Sequence, residues 1–98
     1  MISPLSGDAR SGFYLKGSLT HQAVSELPPV LPGLDDVGKT VECSLEGVSN
    51  FDSTLLALMQ QWYVGARLLN SEIRFAAIPA PLHDLIETYK LFHLLPDD

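Results

Sequence analysis

A small α/β domain is the fold class this sequence predicts: a mixed sheet of about four strands with helices mainly on one face. Three observations predict it. The runs FYLKGSLT (13–20) and TVECSLEGV (40–48) alternate apolar and polar residues, as half-buried strands do. The stretch 53–69 carries apolar residues at helical spacing. That helix lies between TVECSLEGV and another strand-like run, SEIRFAAIP (71–79), which makes a parallel, right-handed crossover unit.

Each element follows in turn. ISPLS, at the start, suits a short edge strand, where Pro4 is tolerated, and GDARSG is a turn cluster. In FYLKGSLT, Phe13, Leu15 and Leu19 face the core, and Tyr14, Lys16 and Ser18 face away. Thr20 suits an N-cap for HQAVSEL, a helix of about two turns that Pro28 and Pro29 stop. PPVLPGLDDVGK is a connection whose Val30, Leu31 and Leu34 suggest a loop lying on the core. Val41, Cys43 and Leu45 then face inward, opposite Glu42, Ser44 and Glu46. On the long helix, Leu55, Leu58, Met59, Trp62, Ala66 and Leu69 form the buried stripe, with Asn70 as its stop. Ile73, Phe75 and Ala77 share one face of the next strand. PAPLHDLIETYKLFHLL (79–95) reads as a final helical segment with Pro81 in its first turn and a stripe of Leu82, Leu85, Ile86 and Tyr89. The chain of 98 residues suits one domain spanning 1–98, with its core at about 13–96.

Composition narrows the function. The formal charge is −6, and the six Lys and Arg residues are scattered, so no basic stripe for nucleic acid is visible. An acidic chain is also poorly suited to anionic lipid headgroups. No apolar stretch approaches the roughly 20 residues that span a bilayer, and no signal peptide is visible, so a cytosolic protein without direct membrane insertion is expected. The lone Cys43 fits a reducing compartment, and its place in an alternating run makes it a core residue, not a reactive thiol. The motifs GxxxxGK[ST], GxGxxG, CxxC, HExxH and GxSxG are missing, and His21, His83 and His93 lack ligand spacing. Neither enzyme, cofactor nor metal site is expected.

One stretch calls for more than a structural account. In FDSTLLALM, Asp52, Ser53 and Thr54 lead into the long helix. Their oxygens suit helix capping, and an acid suits the positive end of the helix dipole. Yet at about 100° per residue, Ser53, Ala57, Gln60 and Val64 line up opposite the buried stripe, flanked by Leu56 and Leu68. That outer face has no charge between Ser53 and Val64, and Arg67 follows one turn later. A surface helix ordinarily carries charges there; an uncharged face headed by a hydroxyl reads as a docking surface. A phosphate on Ser53 would add roughly two negative charges to that face, where the helix N-terminus could stabilise them.

A strand, then an Asp–Ser/Thr step opening a helix, then another strand and helix, resembles the STAS domain of anti-sigma-factor antagonists and anion transporters. In the antagonists the hydroxyl after the Asp is the regulatory phosphorylation site, and Ser53 matches it. Their pattern D-S-[ST]-G-L-G is broken here by Leu55 and Ala57. The stretches FDSTLLALMQQW, EIRFAAIP and LHDLIETYKLFHLL are more similar to the small STAS subunit of the bacterial Mla phospholipid ABC transporter. Arg74, Phe75 and Pro79 match that branch's strand, and Leu82, Leu85, Tyr89, Leu94 and Leu95 match its last helix and tail. Lys90 stands where relatives often have glycine. The resemblance covers about residues 13–96. It implies a non-catalytic subunit, without cofactor, that docks on the transporter's cytoplasmic ATPase in a complex with the permease, and so lies at the inner face of the inner membrane. It implies Ser53 as the central contact with Asp52 and Thr54 beside it; the outer face adds Leu56, Ala57, Gln60 and Val64. The alternative is an anti-sigma-factor antagonist regulated through Ser53.

Overall fold

A computed structural model describes residues 4–34 and 40–95. The expectations for Ile2 and Ser3, for the end of the connection at 35–39 and for Pro96 lie outside the described residues. The elements follow in the expected order. They are β1 (Leu5–Asp8), β2 (Gly12–Leu19), α1 (His21–Val24), β3 (Thr40–Phe51), α2 (Ser53–Leu68), β4 (Glu72–Ala76) and α3 (Ala80–Thr88), then a 3-10 turn at Phe92–Leu94.

The result is a compact α/β domain with a four-stranded mixed sheet in the order β1-β2-β3-β4. β1 pairs antiparallel with β2, while β2–β3 and β3–β4 are parallel. The β1–β2 hairpin requires Gly7: its φ is +91°, and a Cβ there would sit 2.1 Å from the Gly12 carbonyl oxygen.

Alternation is realised as burial on one sheet face. Phe13, Leu15, Leu19, Val41, Cys43, Leu45, Ile73 and Phe75 are buried, while Tyr14, Lys16, Glu42, Glu46, Glu72 and Arg74 are exposed. Side chains of all three helices join the buried strand residues in one apolar cluster. Burial pushes the Cys43 thiol up to about 12, so it stays protonated and inert at neutral pH.

The 28–34 connection lies on this core. Leu31 and Leu34 are buried, and the Trp62 indole N–H donates to the Pro28 carbonyl at 2.8 Å. Val30 is exposed at 38%, but packs toward Gly65, where an added Cβ would meet it at 3.4 Å.

Several expectations need correction, among them Leu69, expected on the buried stripe of the long helix but 38% exposed. The two-turn helix at 21–27 is only four residues long, and Glu26 and Leu27 continue in tighter i→i−3 turns. Pro28 disfavours helical backbone at Leu27, and Thr20 makes no side-chain cap. β3 runs three residues beyond Val48, to Phe51. Ala77 leaves the strand: its φ is +54° and it is exposed. The last segment is not one helix. α3 ends at Thr88, Tyr89 is 58% exposed, and Lys90 adopts φ +59°.

Both long helices end in the same way. Ser71 N–H reaches Ala66 O and Asn70 N–H reaches Arg67 O; Leu91 N–H reaches Ile86 O and Lys90 N–H reaches Glu87 O. These are Schellman closures around a left-handed residue. Asn70, at φ +60°, stops α2 as expected, and Lys90 adopts the backbone that a glycine would take.

Candidate functional site

The site forms where β2 and β3 run out side by side. Their register shifts twice, between Tyr14 and Lys16 and between Gly17 and Ser18. β3 therefore spends two more residues than β2 over the paired stretch, and Leu19 comes opposite Phe51. The starts of α1 and α2 are thereby brought together at the carboxyl end of the sheet.

Asp52 joins them. Its Oδ1 accepts from the Thr54 backbone N–H at 2.9 Å and from the Thr54 hydroxyl, which caps α2. Its Oδ2 accepts from the His21 backbone N–H at 2.8 Å, capping α1 from 31 residues away. One carboxylate thus supplies the cap that Thr20 does not. The Thr54 hydroxyl, with the His21 and Thr54 amides, holds the Asp52 carboxyl below the usual carboxylate range.

Ser53 is the first residue of α2. It is exposed, and among the described residues its hydroxyl has no hydrogen-bond partner. Of the triplet, Asp52 and Thr54 are committed to each other, which leaves the Ser53 hydroxyl free for an external group.

Further along α2 the expected face divides. Ala57 and Val64 are exposed, Val64 at 46%, and Leu68 is exposed at 80%. Leu56, expected on the docking face, is buried with 5% exposure, so it leaves the candidate surface. Its flank of the helix carries the 3-10 turn, whose Leu94 is also buried in the core. Gln60 is half-buried and already occupied: its Oε1 lies 2.5 Å from His93 Nε2. The His93 ring rests on Tyr63 with centroids 4.9 Å apart, and the Arg67 guanidinium lies 5.8 Å from the Tyr63 ring centre. Sequence reasoning missed the His93 clamp, because Gln60 and His93 are 33 residues apart and neither sits in a motif.

On the opposite flank, a shallow groove of about 310 Å³ separates α2 from α1 and the Ser25–Pro29 segment. His21, Val24, Leu27, Thr54, Ala57 and Gln61 line it. The accessible surface is therefore a line from Ser53 through Ala57 and Val64 to Leu68, bordered by this groove.

No helix of the described residues is long and apolar enough to cross a membrane. Comparison with known proteins places the chain in no group: no protein-family model matches it, and no curated protein matches it. What the fold and site define is a compact α/β domain with a four-stranded mixed sheet, three helices and a weakly charged outer helix face.

Proposed function

We propose that the outer face of α2 is a protein-docking surface. On this reading the chain is a non-catalytic STAS-type accessory subunit. It binds the cytoplasmic ATPase of an Mla-type phospholipid ABC transporter and supports its assembly or activity, and it is held at the inner face of the inner membrane through that partner. The observation that carries the reading is the alignment of an unpartnered Ser53 hydroxyl with exposed Ala57, Val64 and Leu68 on one helix. Exposed aliphatic side chains in a row gain about 25 cal/mol for each Å² that a partner covers. The unbonded hydroxyl adds a directional contact at the head of the row.

Co-expression with the nucleotide-binding subunit of an Mla-type transporter from the same organism tests this. The wild-type chain copurifies with that subunit, and Ser53→Glu and Val64→Asp each weaken the complex at least tenfold while leaving the fold intact. Undiminished binding by both variants contradicts the proposed surface.

The exposed hydroxyl at the first residue of α2 also favours a second reading, an anti-sigma-factor antagonist phosphorylated on Ser53. Incubation with an anti-sigma kinase and ATP, followed by intact-mass measurement, separates the two. Addition of one phosphate, absent in Ser53→Ala, supports the antagonist.

A further inference from the structure

β4 ends the sheet, and among the described residues it pairs only with β3. Its sequence EIRFA contains no proline, and β3–β4 pairing shows no bulge. It therefore lacks two of the devices by which proteins blunt an open edge. A groove of about 370 Å³ runs beside it, lined by the 72–75 run, by Thr40 and Tyr63, and by residues 92–95.

The charge order on this strand is self-complementary. Glu72 and Arg74 are exposed on the open sheet face, and Ile73 lies between them facing the core. Consider an antiparallel meeting of two β4 strands about a two-fold axis at Ile73. Glu72 of each copy then falls opposite Arg74 of the other, on the same face. Shifting the axis to Arg74 sets two arginines opposite each other, and shifting it to Glu72 sets two glutamates opposite. Only the Ile73 axis is electrostatically favourable.

Arg74 is free to take part. Its in-sheet neighbour is Glu42 on β3, yet among the described residues the only ion pair is His83–Glu87. In the paired arrangement Arg74 would lie between Glu42 of its own chain and Glu72 of the second copy. The charges then alternate across the joined sheets.

From this charge pattern on an edge that pairs only with β3 among the described residues, we propose that the chain forms a two-fold homodimer by antiparallel β4–β4 pairing centred on Ile73. The interface is isologous and closes after two copies, as two-fold contacts do. The backbone groups of the edge supply the pairing, and the two Glu72–Arg74 contacts fix the register. This inference does not rest on the α2 docking reading, which uses a different element.

Sedimentation velocity of the purified chain over a wide concentration series tests it. The wild-type chain shows a reversible dimer. Arg74→Glu places like charges opposite each other twice by symmetry and raises the dissociation constant about tenfold. The swapped double variant Glu72→Arg/Arg74→Glu restores the pairing between copies and tightens the dimer relative to Arg74→Glu, but stays weaker than wild type, because the carboxylate now at position 74 faces Glu42 of its own chain. Both positions are exposed, so the core is untouched. A monomer at every concentration overturns the proposal. So does an Arg74→Glu dimer as tight as wild type, or a double variant no tighter than the single one.

Discussion

The two faces of α2 are both poor in charge, yet one is packed and the other is bare. On the inner face Leu55, Leu58, Met59, Trp62 and Ala66 are buried against the sheet. On the outer face Ala57, Val64 and Leu68 are exposed behind Ser53. Aliphatic residues on the inner face are explained by the fold alone. Those on the outer face contribute little to folding, and the proposed docking reading assigns them to a partner.

Substitutions along the two faces sharpen this contrast. Trp62→Ala removes the largest buried side chain and the hydrogen bond that pins the Pro28 segment. It should cost about 3–5 kcal/mol in chemical denaturation, enough to unfold a domain of marginal stability. Asp52→Ala strips the starts of both α1 and α2 of their shared cap, and should lower Tm by about 5 °C. Lys90→Gly works in the opposite direction. It relieves a left-handed lysine and should stabilise the fold by about 1 kcal/mol. Val64→Ala and Ser53→Ala, on the bare face, should change stability by less than about 0.5 kcal/mol. A loss of several kcal/mol from Val64→Ala would erase the distinction between the faces.

Acid titration adds a smaller effect. The Asp52 carboxyl titrates below its unfolded value, so the folded state releases that proton more readily. Its contribution is fully present above the unfolded value of about 3.9 and is lost as pH falls through the lower folded value. In Asp52→Asn the corresponding part of the acid-induced fall in Tm should be missing. An unchanged slope below about pH 4 would show that the double cap has no role in acid stability.

The fold was readable because strand alternation and helical spacing are local patterns. Phe13 with Leu15, and Leu55 with Trp62, declare their faces within a few residues. What was hidden depends on contacts between distant segments. The wheel places Leu56 at the margin of the outer face, and only the packed fold shows that it joins the core cluster. Gln60 reads as a free polar residue until His93 arrives against it. Thr20 looks like a cap until the β2–β3 register brings Asp52 to the amide of His21. Lysine does not advertise the left-handed backbone at position 90 as glycine does, so the one hint of it was the resemblance, in which relatives often have glycine there. The exposure of Ser53, Ala57 and Val64 was legible from periodicity alone, and Leu68 was visible as their flank.

On the proposed reading, the bare face of α2 binds a partner and does not support the fold. Titration of the ATPase subunit of an Mla-type transporter with wild-type chain and with Ser53→Glu, each first shown to have the same Tm, tests it most directly. The expected result is saturable binding by the wild type and at least tenfold weaker binding by the variant. Equal affinity of the two would contradict it.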